Sequence, residues 1–326
     1  EAVIMGDGSL KAAGNLIGSG IDVAGKLTIQ SGTINASANE YKGKGNKEDD
    51  ARIAGIRVSG NGELNIVGGS ITTTGSGRYG VFVGGTFRMS GGELTANGDG
   101  HQAILVDGKG TFELLRGTIR ATASNGAGFA VASDYVTIKG GKLIADRVLL
   151  DNRTMTIESG GTIEVDRLGL KETGKLVNKG MLIVNGDYDG GGTVVTEEGG
   201  TISGTGSVPE DAKMDPGSIG FTNDKLEQEY TNEGMNIQNL AGITKPNQNV
   251  KLSYSIDKDE SDGIGTINSK TGKLIVKKIG TFVIQVTTEK TGIYKSAEPV
   301  KITLTVIPAK IPESWKLEIN PIRDVT

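Results

Sequence analysis

Apolar and polar residues alternate over much of the first 200 positions with a period of two, the side-chain period of a β-strand. The alternation comes in short pieces broken by glycine. GKLTIQSGTINAS (25–37), GELNIVGGSITTT (62–74), GTFRMSGGELTAN (85–97), GTFELLRGTIRAT (110–122) and YVTIKGGKLIAD (135–146) are one pattern. RTMTIESGGTIEVD (153–166) continues it with one extra residue, and weaker copies follow in LVNKGMLIV and VVTEEGGTIS. The glycine ahead of each second piece falls at Gly32, Gly69, Gly92, Gly117, Gly141, Gly160 and Gly180, spaced by 37, 23, 25, 24, 19 and 20 residues. Apart from the first, these are coil lengths of a parallel β-solenoid. A third apolar piece closes each repeat: GIDV, GIRV, GVFV, AILV, FAV, RVLL and RLGL. The expected fold of residues 1–207 is an all-β, right-handed parallel β-helix with three strands per coil and about eight coils.

Stacking the repeats aligns side chains into ladders. Leu27/Leu64/Phe87/Phe112/Val136/Met155 and Ile29/Ile66/Met89/Leu114/Ile138/Ile157 are expected to point inward as the core. Thr28, Thr72, Thr95, Thr118, Thr137 and Thr156 are expected outside, as are Arg88 and Glu113, which fall at one position on neighbouring coils and are expected to pair. From the second piece to the third the gap is 22 residues for Ile34 to Ile56. It is ten for Ile71 to Val81, Leu94 to Ile104 and Ile119 to Phe129, and five for Leu143 to Val148 and Ile163 to Leu168. Long loops are therefore expected along one edge of the first four repeats, at 37–52, 75–79, 97–102 and 124–128, and not after them.

Function on a repetitive scaffold belongs where the repeat is broken. Those loops hold Tyr41, Glu48, Asp49, Asp50, Arg78, Tyr79, Asn97, Asp99 and His101. Beside them the alternation makes an outward column of Asp22, Arg57, Phe82, Leu105, Ala130, Leu149 and Gly169, whose apolar members are expected to face solvent as an interaction surface. The expected ligand contacts are Tyr41, Arg78, Tyr79, Phe82, Asn97, Asp99, His101 and Leu105. A second charged cluster, Asp146-Arg147 and Asp166-Arg167, recurs one coil apart, where the loops are short and no cleft wall is evident.

Composition narrows the chemistry. His101 is the only histidine, so a multi-histidine metal site is excluded, and with no cysteine there is no disulfide or thiol chemistry. The formal charge is −4, and no basic cluster interleaved with aromatics marks a nucleic-acid partner. No apolar run is long enough to span a bilayer, and the first residue is Glu1 rather than Met, as after removal of an export segment. No catalytic constellation emerges: a hydrolase needs two opposed carboxylates, and no Asp/Glu set stacks beside Lys/Arg on the strands as in a lyase. The double-glycine aspartate turn of calcium-binding nonapeptide repeats is missing too.

All seven prolines follow residue 208, whereas 43 of the 52 glycines precede Ser207. The stretch 208–217 therefore reads as a linker. Beyond it SIGFT, MNIQNL, LSYSI, GTINS, KLIVKK, TFVIQVTT and VKITLTVI read as the short strands of an all-β sandwich over 218–309. Residues 310–326 read as a tail or the start of a further module.

Tyr254-Ser255, Gly265-Thr266-Ile267, Thr271-Gly272-Lys273-Leu274, Gly280-Thr281, Tyr294 and Leu304-Thr305-Val306 follow one another in a specific order. Residues 218–309 thereby resemble the bacterial immunoglobulin-like modules of surface proteins, which implies a spacer or presenting module. The coils GIDVAGKLTIQSGTINAS and GIRVSGNGELNIVGGSITTT make residues 1–205 similar to the parallel β-helix carbohydrate-binding-like domains of secreted bacterial proteins. Many of those open the third strand with Asp-Gly-Ile, the aspartate serving as a calcium ligand. Here the equivalents are Ser19-Gly20-Ile21, Ala54-Gly55-Ile56 and Tyr79-Gly80-Val81, so calcium is not carried over and no cofactor is expected. Together these resemblances imply a secreted or bacterial cell-surface, non-catalytic protein that binds a glycan through the long-loop edge. The alternatives are an adhesin recognising a host or cell-surface protein through the apolar column and, last, a polysaccharide lyase-like enzyme.

Overall fold

The computed structural model describes residues 1–14, 18–38, 53–76, 79–99, 102–246, 248, 250–289 and 292–310. Tyr41, Arg78 and His101, three of the expected ligand contacts, lie outside the described residues, as do Glu48, Asp49 and Asp50. The chain forms two compact units, Glu1–Met214 and Asp215–Thr326.

In the first unit strands pair in parallel with the strand three places further on. Ala2–Ile4 lies beside Lys26–Ile29, Ser9–Gly14 beside Thr33–Ala38 and Ile21–Val23 beside Ala54–Val58. The same spacing returns where Lys175–Asn178 pairs with Thr193–Thr196 and Met181–Val184 with Thr201–Ser203, so one large parallel sheet winds as a stack of three-strand coils. Two strands, Ala2–Ile4 and Ser9–Gly14, precede the first repeat visible in the sequence. Where the gap shortens to five residues, corner and strand merge into the long extended segments Tyr135–Leu150 and Thr154–Leu170.

The core ladders pair in the expected register. Leu64, Phe87, Phe112, Val136 and Met155 stack in order, nearly all excluded from water. Phe87 and Phe112 lie face to face at 4.6 Å, and Phe129 meets Phe112 edge-on at 5.0 Å. The second ladder ends on a polar residue: Ile157 pairs with Asn178, which is fully buried. Its amide donates to the Thr201 carbonyl and its carbonyl accepts the Gly180 N–H, so the substitution satisfies the turn backbone.

The glycine before each second strand takes positive φ at Gly32, Gly69, Gly92, Gly117 and Gly141. At Gly92 a Cβ would lie 2.5 Å from the Gly69 carbonyl oxygen, so both backbone angle and space demand glycine there. At the C-terminal end Val208, Pro209 and Ala212 are buried, and a 3-10 turn, Glu210–Ala212, packs against Thr193–Thr196. Residues 208–214, read as linker, thus cluster with the first unit and cover its last coil.

Two expectations about the loop edge change. Residues 75–76 and 97–99, read as loop, are strand: the second strands run Ser70–Ser76 and Glu93–Asp99. They lengthen because small residues keep the inward alternation going. Ala36/Thr73/Ala96/Ala121 and then Ala38/Gly75/Gly98/Ala123 follow the apolar ladder in register. The outward column of the third strands is also in register from Asp22 to Gly169 and on to Asp189. Yet it does not face solvent as expected. Phe82 and Ala130 are each 4% exposed, and Leu105 and Leu149 are half-buried. Apolar neighbours at strand spacing cover one another, the Tyr79 ring packs on Phe82 at 5.7 Å, and ion pairs close both ends (Arg57–Asp22 and Arg147–Asp189).

The second unit has two small sheets. One orders Lys225–Glu229, Val300–Ile307, Gly280–Thr288 and Leu252–Asp257; the other orders Met235–Asn236, Lys273–Lys278 and Ile264–Ile267. Tyr254, Leu274, Val276, Phe282, Ile284 and Leu304 form their shared core. Three details differ from the strand pattern. SIGFT contributes only an isolated bridge, Gly220 to Thr244. MNIQNL forms two strand residues and then a helix, Ile237–Ala241. Asn236 starts that helix by accepting the Asn239 N–H, and Gly242 ends it at φ 60°. KLEQE, too polar to stand out, is the edge strand pairing in parallel with Thr303–Ile307.

Candidate functional site

A cavity lies where the long corner loops stop. It is a cleft of about 490 Å³ lined by residues 123–126 and by Asp146, Arg147, Asp166, Arg167, Gly186 and Asp187. The expectation that the Asp146/Asp166 cluster lacks a cleft wall is therefore corrected. The ten-residue corner of one coil overhangs five-residue corners on the next two, and the step itself is the wall.

That wall is held from both sides. Ser124 donates its N–H to the Gly98 carbonyl at 3.0 Å and its hydroxyl to Asp99 at 2.8 Å. From the following coil, Asp146 accepts the Ala123 N–H at 2.9 Å and, with its other oxygen, the Arg147 N–H at 2.8 Å. Gly128 fits only as glycine, because a Cβ would lie 2.2 Å from the Ala121 carbonyl oxygen, with Asp146 Oδ1 at 2.3 Å beside it.

The floor is built by register. Arg147 and Arg167 are direct cross-strand partners, which also brings Asp146 and Asp166 to equivalent positions. Arg147 reaches over Gly169 to Asp189 two coils away, with Nη2 at 3.1 and 3.3 Å from the two carboxylate oxygens. A Cβ on Gly169 would meet Asp189 Oδ1 at 2.6 Å and Arg147 Nη2 at 3.2 Å. Arg147 Nε is buried without a hydrogen bond among the described residues. Asp166, Arg167 and Asp187 have exposed side chains that make no ion pair or side-chain hydrogen bond among the described residues. Next door, burial first and then Asp211 and Asp189 push the Tyr188 hydroxyl up, and it donates to the Gly192 carbonyl at 2.8 Å.

Chemically the cleft presents one unengaged guanidinium and two unengaged carboxylates over a fixed polar backbone. No group of three or more His, Asp or Glu side chains among the described residues is arranged to hold a metal ion.

The sequence-expected contacts divide around this cleft. Asp99 and Asn97 sit on the strand Glu93–Asp99, and Asp99 is tied to wall residue Ser124. Tyr79, Phe82 and Leu105 lie further back on the third strands; Phe82 also lines a smaller cavity of about 160 Å³ with Arg57, Asp107 and Lys109. Arg167, Asp166 and Asp187 were not among the expected contacts. The signal for them was the sudden loss of loop length after residue 128, which makes a ledge as well as an end.

A scan against family models and searches of curated proteins and of solved structures return no match to this chain.

Proposed function

We propose that this is a secreted or bacterial cell-surface, non-catalytic carbohydrate-binding protein whose glycan lies in the cleft between residues 123–126 and the Asp166-Arg167 floor. In this reading the first unit is a right-handed parallel β-helix that presents the ligand. The second is an immunoglobulin-like β-sandwich acting as a spacer. The observation that carries it is the cleft itself: a built wall, a register-fixed floor and unengaged donors and acceptors on neighbouring coils. Such convergent polar groups in a concave site suit a hydroxyl-rich ligand.

One carboxylate of the cleft, Asp146, is not free for proton transfer. It is the carboxylate directly under the wall, and both of its oxygens already accept backbone N–H groups, so it holds structure rather than a reacting proton. Burial of Phe82 and Ala130 leaves less exposed apolar surface for the alternative adhesin reading. Calorimetric titration against a panel of neutral and acidic oligosaccharides tests the proposal. Binding that weakens about tenfold or more in Arg167→Ala, the loss of one charged hydrogen-bond donor, is the expected result. Absence of binding across the panel contradicts it.

A further inference from the structure

We infer that the glycan held by this cleft is electrically neutral, and neither a uronate or sulfated polymer nor an amine-bearing one; this rests on the carbohydrate reading above. The Asp-Arg dipeptide recurs in register on adjacent coils, so Asp146 stacks on Asp166 and Arg147 on Arg167 at the strand spacing of about 4.8 Å, and Asp187 follows Arg167 in that column on the next coil. Arg147 returns its charge to Asp189, and Asp146 is enclosed by backbone N–H groups. What faces a ligand is Arg167 between Asp166 and Asp187.

A sugar carboxylate or sulfate that reached Arg167 would stand beside two carboxylates and meet repulsion from both. An ammonium drawn to Asp166 would stand beside Arg167. A neutral diol meets neither obstacle: one hydroxyl donates to a carboxylate while its neighbour accepts from the guanidinium. The lining includes no aromatic ring, so recognition here is by hydrogen bonds rather than by stacking on a sugar face.

The test uses the full chain titrated with neutral gluco-, manno- and xylo-oligosaccharides, with oligogalacturonate, and with chitosan oligomers. The expected result is binding of a neutral oligosaccharide that changes by less than about twofold from low salt to about 0.5 M, since no net charge is exchanged. That affinity falls about tenfold in both Asp166→Asn and Arg167→Gln, each removing one charge-assisted hydrogen bond, while Lys245→Ala in the second unit leaves it unchanged. The double variant Asp166→Asn/Asp187→Asn, stripped of both flanking charges, gains measurable affinity for oligogalacturonate. Because all three side chains are exposed, each variant should keep the parent melting temperature, which reports that it has folded.

Salt-sensitive binding of oligogalacturonate or chitosan by the parent chain, lost in Arg167→Gln or Asp166→Asn respectively, overturns the neutral-ligand inference but leaves the carbohydrate reading standing. Failure of every oligosaccharide to bind overturns both. Neutral binding indifferent to the Asp166 and Arg167 variants overturns the assignment to this cleft.

Discussion

Asp146 carries two loads: its oxygens fix Ala123 above and Arg147 beside it, so one carboxylate joins wall to floor. Asp146→Ala is expected to lower stability by about 1–3 kcal/mol, because two backbone N–H groups lose a charged acceptor. It should also weaken glycan binding while leaving Arg167, Asp166 and Asp187 unaltered; unchanged denaturation midpoints in urea would contradict this. Glu113 shows a separate electrostatic design. Lys139 and then Arg88, by hydrogen bonds and charge, hold its carboxyl below the ordinary glutamate range. A depressed folded-state value means this stabilisation is present above the unfolded-state value and is lost as pH falls through the folded one. Glu113→Gln should therefore cost about 1 kcal/mol near neutrality and much less near pH 3, read from the pH dependence of thermal midpoints. The Arg88–Glu113 pairing was legible from repeat alignment alone. Lys139 was not, because it lies two residues past Thr137, the register partner of Glu113.

At the scale of strands and ladders the sequence was most informative where a repeated side chain is large. The Phe87–Phe112–Phe129 group was readable residue by residue, and its centre is the most sensitive point of the core. Phe112→Ala should destabilise the first unit by about 3–5 kcal/mol, measured by denaturant unfolding, since no neighbour can collapse into the void without breaking two ladders. The marker glycines were equally readable, and Gly92→Ala is expected to cost about 1–3 kcal/mol by strain and collision with the Gly69 carbonyl. A thermal midpoint unchanged in that variant would contradict the turn geometry. What could not be read were elements whose inward residues are small. Gly75 and Gly98 continue the inward alternation past Thr73 and Ala96, but a hydropathy pattern treats them as loop. The same blindness hid Ser9–Gly14, and charge hid Lys225–Glu229. The Phe82 column shows the converse error. Alternation correctly placed it outward, but outward on a strand is not the same as exposed once neighbours stack on each side.

Across the whole molecule the repeat supplies the scaffold and its interruption supplies the candidate site. Corners of ten residues followed by corners of five create a ledge in the first unit, and the Asp-Arg repeat lies beneath it. Both halves of that arrangement were visible in the sequence, as a change in loop length and as a recurring dipeptide. Their meeting was not, because it depends on which side of the corner the longer coil overhangs. The second unit keeps its own core, so residues 1–214 alone are expected to bind glycan as the full chain does. The most direct measurement is a crystal structure of the chain with a bound neutral oligosaccharide. The account predicts sugar hydroxyls on Arg167, Asp166 and Asp187 beneath residues 123–126. Sugar bound instead at the Phe82 cavity, or on the second unit with the cleft empty, would contradict it.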